Sequence, residues 1–334
     1  MEATIVAGVL WLALTAYAVL AGADFGGGVW DALATGPRRA QQRAAVTEAM
    51  GPVWEANHVW LIFLIVGLFT AFPSAFADIA RVLFIPFSLA LAGIVLRGAA
   101  FAFHAHADEG SGSSRAWGVV FGVGSIVSPA FFGMAAGAVA TGAIRVQGGR
   151  VVSDFYAWVS PLGIVLALLA VALCAYLAAT FLMVEAREDP DLERDFQRRA
   201  MGAAVVSGAL AIAALVIAGL DDRILWNELT GRGLPLLILA LLNGPLALFA
   251  VRRVRPHLAR LAVAAQMVFV LWAWAVGQYP YLVPPDLRIA DAATAGPVLT
   301  AFLAIVVAGM LVMLPSLFLL FRVFKGAGGK ATNS

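Results

Sequence analysis

The sequence is poor in cysteine and in charge, and each shortage excludes a class of protein. Cys174 is the single cysteine among 334 residues, which excludes an internal disulfide, a cysteine-based zinc site and an iron–sulfur cluster. Only 13% of the residues are charged, whereas a soluble domain has about 25%. The 22 basic and 20 acidic residues leave a net charge of +2, far from the basic balance of a nucleic-acid-binding protein.

Apolar residues take the place of the missing charge. They make up 62% of the chain, and the mean hydropathy is +0.91. This small number of charges cannot cover the surface of a water-soluble domain of this length. The composition therefore predicts a polytopic membrane protein. No Lys or Arg precedes Arg38, so the first apolar run lacks the basic start of a cleaved signal peptide and is interpreted as a retained span.

The apolar runs predict the number of membrane spans. A helix needs about 20 mostly apolar residues to cross roughly 30 Å of hydrocarbon. Nine runs of that kind lie near 4–24, 53–71, 80–102, 117–140, 157–184, 203–220, 234–251, 259–277 and 298–322. We therefore predict an all-α fold with nine transmembrane helices in one domain over residues 1–334, arranged as two four-helix bundles plus one peripheral helix.

The basic residues predict the orientation, because cytoplasmic loops are rich in Lys and Arg. With nine spans and the N-terminus outside, 15 of the 22 basic residues fall in cytoplasmic segments and six in outer segments, with Arg97 inside the third span. Removing one span would reverse every later loop and abolish this bias. The sequence thus predicts an outer N-terminus and a cytoplasmic C-terminus.

A small set of polar residues is predicted near the inner ends of the first three spans. Asp24 belongs to the first span, Glu55, Asn57 and His58 to the second, and Arg97 to the third. Ionisable groups at membrane depth are costly and usually face a partner charge, a cavity or an ion path. On a helix, Glu55 and His58 are three residues apart and share a face.

Two interpretations of this cluster remain open. In the structural one, Arg97 pairs with Asp24 or Glu55 and neutralises charge between helices. In the functional one, the cluster belongs to a hydrophilic path that takes protons or a polar headgroup from the cytoplasm, because a carboxylate in a low-dielectric site can exchange protons near neutrality. The pair of Glu55 and His58 would suit such a relay.

The other histidines give little support for a metal or haem site. His104 and His106 follow the third span and His257 lies in a basic loop, where all three are expected to be solvated. A transmembrane haem protein needs paired axial ligands on facing helices, and only His58 is predicted at depth. The glycines at 26–28 follow no strand, so a nucleotide-binding loop is excluded.

Three motifs resemble those of one family. The run from Tyr17 to Asp31, which contains Gly22-Ala23-Asp24-Phe25-Gly26-Gly27-Gly28, resembles the first-span motif of subunit II of cytochrome bd-type quinol oxidases. The run Gly51-Pro52-Val53-Trp54-Glu55-Ala56-Asn57-His58-Val59-Trp60-Leu61 resembles the second-span motif. The stretch Leu96-Arg97-Gly98-Ala99-Ala100-Phe101 resembles the third-span arginine motif.

The resemblance implies a function and a set of partners. The chain would be the haem-free partner of a haem-bearing subunit I, in a bacterial cytoplasmic-membrane complex that oxidises quinol and reduces dioxygen to water with cytoplasmic protons. Haems b and d would lie in subunit I. A bound quinone, a small single-span accessory subunit and membrane lipid are further expected partners, and no nucleic acid is expected. Asp24, Glu55, Asn57 and Arg97 match the family's motif positions, and its acids are proposed to line a proton path.

The chain departs from the family pattern at two acidic positions. Ala21 stands where the family commonly has an aspartate, and Ala102 or Phe103 where another acid often follows the arginine. The missing acids weaken the expectation of a complete proton path through this subunit. The alternative function is a secondary transporter with Asp24, Glu55 and Arg97 at its substrate site. Such transporters usually carry an internal repeat and a site at the bilayer midplane, and no repeat is visible here.

Overall fold

The computed structural model of the chain describes residues 1–50, 54–104 and 112–326. For residues 54–56, 104, 112–115, 314, 317 and 320–326, only the backbone is described. Glu55 and His104 fall in this backbone-only set, and His106 lies outside the described residues.

Within these ranges the chain is almost entirely helical. The helices are α1 (Glu2–Ala32), α2 (Arg39–Met50), α3 (Trp54–Ala71), α4 (Pro73–Val82), α5 (Phe84–His104), α6 (Gly112–Ala140), α7 (Pro161–Glu185), α8 (Pro190–Asp221), α9 (Arg223–Thr230), α10 (Leu234–Arg252), α11 (Pro256–Gln278), α12 (Ile289–Ala292) and α13 (Gly296–Gly326). The strands are β1 (Val146–Gln147), β2 (Arg150–Val151), β3 (Tyr281–Val283) and β4 (Leu287–Arg288).

Eight of the helices in the described ranges are long and apolar enough to cross a membrane: α1, α5, α6, α7, α8, α10, α11 and α13. The described part of α3, Asn57–Ala71, is a shorter apolar helix. The prediction of an all-α polytopic membrane protein is therefore confirmed. The count of nine spans and the arrangement in two bundles stay predictions.

Two helices extend well past the apolar runs that predicted them. α1 continues to Ala32, so Asp24 lies within a continuous helix rather than near its end. α8 begins at Pro190, where the Asp189 side chain accepts hydrogen bonds from the amides of Asp191 and Leu192. A helix start is fixed by such capping and not by hydropathy, which explains why a search for apolar runs placed this span at residue 203.

The helices pack as neighbouring antiparallel pairs around α1. The pairs are α5 with α6, α7 with α8, and α10 with α11, while α1 packs against α3, α6 and α7. α13 lies at the periphery, with contacts to α1 and α3. Of the three helices that carry the predicted polar residues, α1 packs directly against α3, and α5 packs against α6, which is itself a neighbour of α1.

Small polar structures close the two ends of the helical bundle. At the end where α1 begins, the antiparallel hairpins β1–β2 and β3–β4 are joined by Arg145 and Asp286, with an N–O distance of 2.8 Å. At the opposite end, Arg38, the residue before α2, pairs with Asp195 of α8 at 2.7 Å. Gln42 of α2 also donates to Asp195 and accepts a hydrogen bond from Arg199.

Candidate functional site

Glycines on α1 bring it into close contact with two neighbouring helices beside Asp24. A Cβ atom at Gly26 would lie 1.9 Å from the carbonyl oxygen of Cys174 on α7. A Cβ atom at Gly28 would lie 2.0 Å from Ser125 Oγ on α6. Because no other residue lacks a Cβ, only glycine allows α1 to approach both helices here.

Asp24 and Asn57 form the first part of the site. Both side chains are buried, with exposed fractions of 6% and 5%. The Asn57 amide on α3 donates a short hydrogen bond to the Asp24 carboxylate and a long one, of 3.5 Å, to the carbonyl of Leu20. A buried carboxylate needs such a partner, because leaving it without hydrogen bonds would be very costly. Asn57 thereby links α3 to α1 at the depth of Asp24.

Arg97 is the largest fully buried side chain of the described residues, with an exposed fraction of 2%. Its Nε donates to Ser125 Oγ at 3.2 Å, and its Nη2 donates to the backbone carbonyl of Asp24 at 3.0 Å. The guanidinium also lies over the rings of Phe25 and Phe121, 5.1 and 5.3 Å from their centroids. These contacts hold one positive charge between α1, α5 and α6.

The structure tests only one of the two predicted pairings of Arg97, the one with Asp24. None of the ion pairs found among the described side chains joins Arg97 to Asp24, and the guanidinium binds the Asp24 backbone oxygen instead. The Glu55 side chain lies outside the described set, so its pairing with Arg97 or His58 stays a prediction.

His58 extends the polar group along α3. Its ring meets Tyr17 and Phe25 edge-on, at centroid distances of 5.9 and 6.2 Å. Tyr17 is buried at 5% exposure and lies in the same apolar group as Phe25 and Cys174. Neither Tyr17 nor Ser125 was predicted from the sequence as part of the site. Tyr17 precedes Asp24 by seven residues, or two helical turns, and that spacing was the available signal.

A haem, the cofactor of the oxidase family that the motifs resemble, does not fit beside His58. The rings of Tyr17 and Phe25 pack directly against the imidazole, so a planar macrocycle would have to displace both. His257 is exposed. Within the part of the chain that the structure describes, no group of three His, Cys, Asp or Glu side chains is arranged to hold a metal ion.

The space beside Arg97 connects the cluster towards α2. It measures about 140 Å³, is too narrow for a water molecule, and is lined by Met50, Arg97, Gly98, Phe101 and Phe121. Met50 is itself buried, at 4% exposure, and ends α2. A carboxyl group, an amide, an imidazole and a guanidinium thus lie together among apolar helices, and the first, second and fourth of these groups are buried.

Fold and site define a class: an integral membrane protein of apolar helices, with a buried carboxylate and guanidinium held where its first, third and fifth helices meet. Comparison with known families makes the class specific. The chain matches the family described as cytochrome bd terminal oxidase subunit II over residues 2–324. It belongs to that family and is a subunit of a cytochrome bd quinol oxidase, an oxidoreductase complex of the respiratory membrane. Nothing in the comparisons supports the transporter alternative.

Relatives and a solved structure agree with this assignment. A Bacillus subtilis protein described as a cytochrome bd menaquinol oxidase subunit II is 22% identical, covering 97% of this chain and 95% of the relative. The cytochrome bd ubiquinol oxidase subunit 2 of the same organism is 32% identical over 130 residues, or 37% of this chain and 38% of the relative. The bd oxidase structure from Geobacillus thermodenitrificans superposes with a TM-score of 0.76 and 25% identity, covering 97% of this chain and 98% of that one.

Proposed function

We propose that the cluster of Asp24, Asn57, His58 and Arg97, together with Glu55, forms part of the path that brings cytoplasmic protons to the oxygen-reducing site of the complex. The observation that carries the proposal is the buried hydrogen bond from Asn57 to the Asp24 carboxylate beside the buried Arg97. Burying an ionisable pair costs several kcal/mol, and packing between apolar helices does not require it. Ionisable groups at this depth commonly mark ion paths and proton relays.

The proposal includes an orientation and an architecture. Nine spans, with α3 as the second, place the N-terminus outside and the C-terminus in the cytoplasm of a bacterial cell. Fifteen basic residues then face the cytoplasm and six face outward. The helices form two four-helix bundles, and α13 is the peripheral helix. Its few contacts within this chain support that role.

The proposed partners follow from the family. A haem-bearing subunit I carries haems b and d and oxidises quinol. One relative is described as a subunit of a menaquinol oxidase and the other as a subunit of a ubiquinol oxidase. Quinol oxidation is therefore the feature that the two descriptions share. A bound quinone and a small single-span accessory subunit are further proposed partners, to which we assign no residues of this chain.

The experiment compares Asp24→Asn and Glu55→Gln in the assembled oxidase. Asparagine keeps the size of Asp24 and still accepts the hydrogen bond from Asn57, but it cannot exchange a proton. We expect quinol-driven oxygen consumption to fall by about 100-fold, the lower end of what loss of a positioned proton-transfer group costs.

The exposed Glu48 on α2 supplies the matched control, Glu48→Gln, which removes one carboxylate on the same side of the protein. Haem spectra of each purified complex report assembly. Normal turnover with full haem content in both test variants would contradict the proton path and leave the chain a structural subunit.

A further inference from the structure

The turn between α10 and α11 is held in a strained shape. The amide of Val254 donates to the carbonyl of Val251 at 3.2 Å, and that of Arg255 donates to the carbonyl of Ala250 at 3.0 Å. This is a Schellman motif, in which glycine usually takes the left-handed position. Val254 occupies it with a φ of 52°, a conformation that β-branched residues rarely adopt. The strain keeps consecutive arginines on a tight corner.

A cavity opens on this corner at the level where an apolar helix meets charged residues. It is open to the surface and is lined by Phe249, Arg252 and Arg253, all three of them exposed. Phe249 belongs to the last turn of the apolar α10, and the Arg253 guanidinium lies 5.6 Å from its ring centroid. The cavity therefore combines an apolar wall with two guanidinium groups at the end of a helix that is long and apolar enough to cross a membrane.

The positive charge at this corner is not compensated within the described structure. The residues from 251 to 260 include four arginines and no acid. None of the ion pairs among the described side chains involves Arg252 or Arg253, and both residues are exposed.

The backbone carbonyls at the corner are already occupied. The Gln197 amide of α8 donates to the carbonyls of Val251 and Arg252, at 2.9 and 3.2 Å. Those acceptors would otherwise repel an anion at the end of α10, where the helix dipole is negative. The two hydrogen bonds satisfy these acceptors, and the guanidinium groups of Arg252 and Arg253 supply the charge of the cavity lining.

We propose that this cavity binds the phosphate headgroup of an anionic phospholipid, with Arg252 and Arg253 holding the phosphodiester and Phe249 contacting the start of the acyl chains. Guanidinium groups suit phosphate oxygens because they donate paired hydrogen bonds. Basic pockets between helices at the membrane surface are a general form of lipid recognition. The apolar wall favours a lipid over a free phosphate ion. The site lies apart from the Asp24–Arg97 cluster and does not depend on a proton role for it.

The test uses the purified oxidase complex in neutral detergent. Short-chain phosphatidylglycerol is titrated and its binding is followed by native mass spectrometry, with phosphatidylcholine of equal chain length as reference and inorganic phosphate as a separate competitor. Each arginine near an anionic lipid contributes about a fivefold gain in affinity, so R252Q/R253Q should weaken phosphatidylglycerol binding by about 25-fold. R252K/R253K, which keeps both charges, should retain most of the binding and covers the case in which the glutamine variant does not assemble.

The matched control is R39Q/R187Q, which removes two exposed arginines predicted on the same side of the membrane. This control should bind phosphatidylglycerol as the unmodified complex does. An equal loss in both glutamine variants, or equal binding of phosphatidylcholine, would overturn the site. Displacement of the lipid by millimolar inorganic phosphate would overturn the assignment to lipid. Oxygen consumption, measured in parallel, reports separately on the proposed proton path.

Discussion

Arg97 shows why a buried charge in this protein needs several different partners at once. An isolated guanidinium at membrane depth would be very costly. Here the Nε and Nη2 atoms of the guanidinium donate to Ser125 and to the Asp24 backbone. The planar faces of the guanidinium lie against the rings of Phe25 and Phe121. Lysine would supply a point charge without the planar face or the fork. The sequence predicted the depth and charge of Arg97, but these partners depend on helix contacts that a motif does not contain.

Glu228 is a second unusual carboxyl group, at the opposite end of the molecule from α2. It lies on the short helix α9, half-buried, and its Oε2 has no hydrogen-bond partner within the described structure. Gly277 on α11 allows this approach, since a Cβ there would lie 3.1 Å from that of Glu228. Burial, and then the nearby Asp222 charge, raise the pKa of Glu228 from 4.5 to about 7.

The raised pKa of Glu228 predicts that the protein loses stability as the pH rises. Between pH 4.5 and 7 the folded protein keeps a proton that the unfolded chain has released, so this contribution is fully present below pH 4.5 and is lost as the pH passes 7. Glu228→Gln should therefore melt at a higher temperature than the unmodified protein at pH 8, and at nearly the same temperature at pH 5. Thermal unfolding of the detergent-solubilised complex measures this.

The exposed Asp291 provides the control, because Asp291→Asn also removes one carboxylate at the same end. A pH dependence that survives in Glu228→Gln would show that another group is responsible.

At the scale of elements, the three glycines after Phe25 each serve a different helix contact. Gly26 faces α7, Gly28 faces α6, and Gly27 faces Met50 of α2, whose Sδ would lie 2.7 Å from an added Cβ. Sequence reasoning excluded a nucleotide loop for this run but did not identify its contacts. The run is therefore a three-sided packing surface that places Asp24 next to α6 and α7.

Gly26→Ala should prevent normal packing of α1 on α7. The new methyl would lie 1.9 Å from the Cys174 carbonyl oxygen and 2.4 Å from its carbon, and backbone atoms cannot move aside as a side chain can. Overpacking of this kind costs about 1–3 kcal/mol or more, so we expect a sharp loss of assembled, haem-containing complex. Gly8→Ala on the same helix is the control, since nothing lies within 4 Å of its added Cβ. Equal yields of the two variants would refute the tight contact.

The helical elements themselves were largely predictable, and their ends were not. Apolar runs located the cores of all eight long helices because hydropathy measures burial in lipid. It does not detect polar first turns such as that of α8, which Asp189 caps. Nor does it detect α2, α4, α9 and α12 or the two hairpins, which are too short or too polar to give a span signal.

At the scale of the whole molecule, α1 separates two chemically different ends. Its 31 residues correspond to about 46 Å at 1.5 Å per residue. The hairpins and the Arg145–Asp286 pair lie at the end where α1 begins, and Arg38 and Arg199 lie where it ends. Because cytoplasmic segments are rich in Lys and Arg, the charge bias of the sequence predicts that the end with α2 and the start of α8 faces the cytoplasm.

Cysteine labelling can decide both the orientation and the ninth span, because the only native thiol, Cys174, is buried at 6% exposure. We consider Gln41→Cys on α2 and Gln147→Cys on β1, both at exposed positions. Between them the chain passes through α3, α5 and α6. Three crossings place the two thiols on opposite sides of the membrane, and two crossings place them on the same side.

With the N-terminus outside, a membrane-impermeant maleimide added to intact cells should label Gln147→Cys and leave Gln41→Cys unlabelled until the cells are opened. The unmodified protein serves as the background. Labelling of both positions from one side would show that α3 does not cross, and the reverse pattern would show that the N-terminus is cytoplasmic. The proposed entry of protons near Asp24 requires the first result, since only that orientation brings α2 and the inner end of α1 to the cytoplasm.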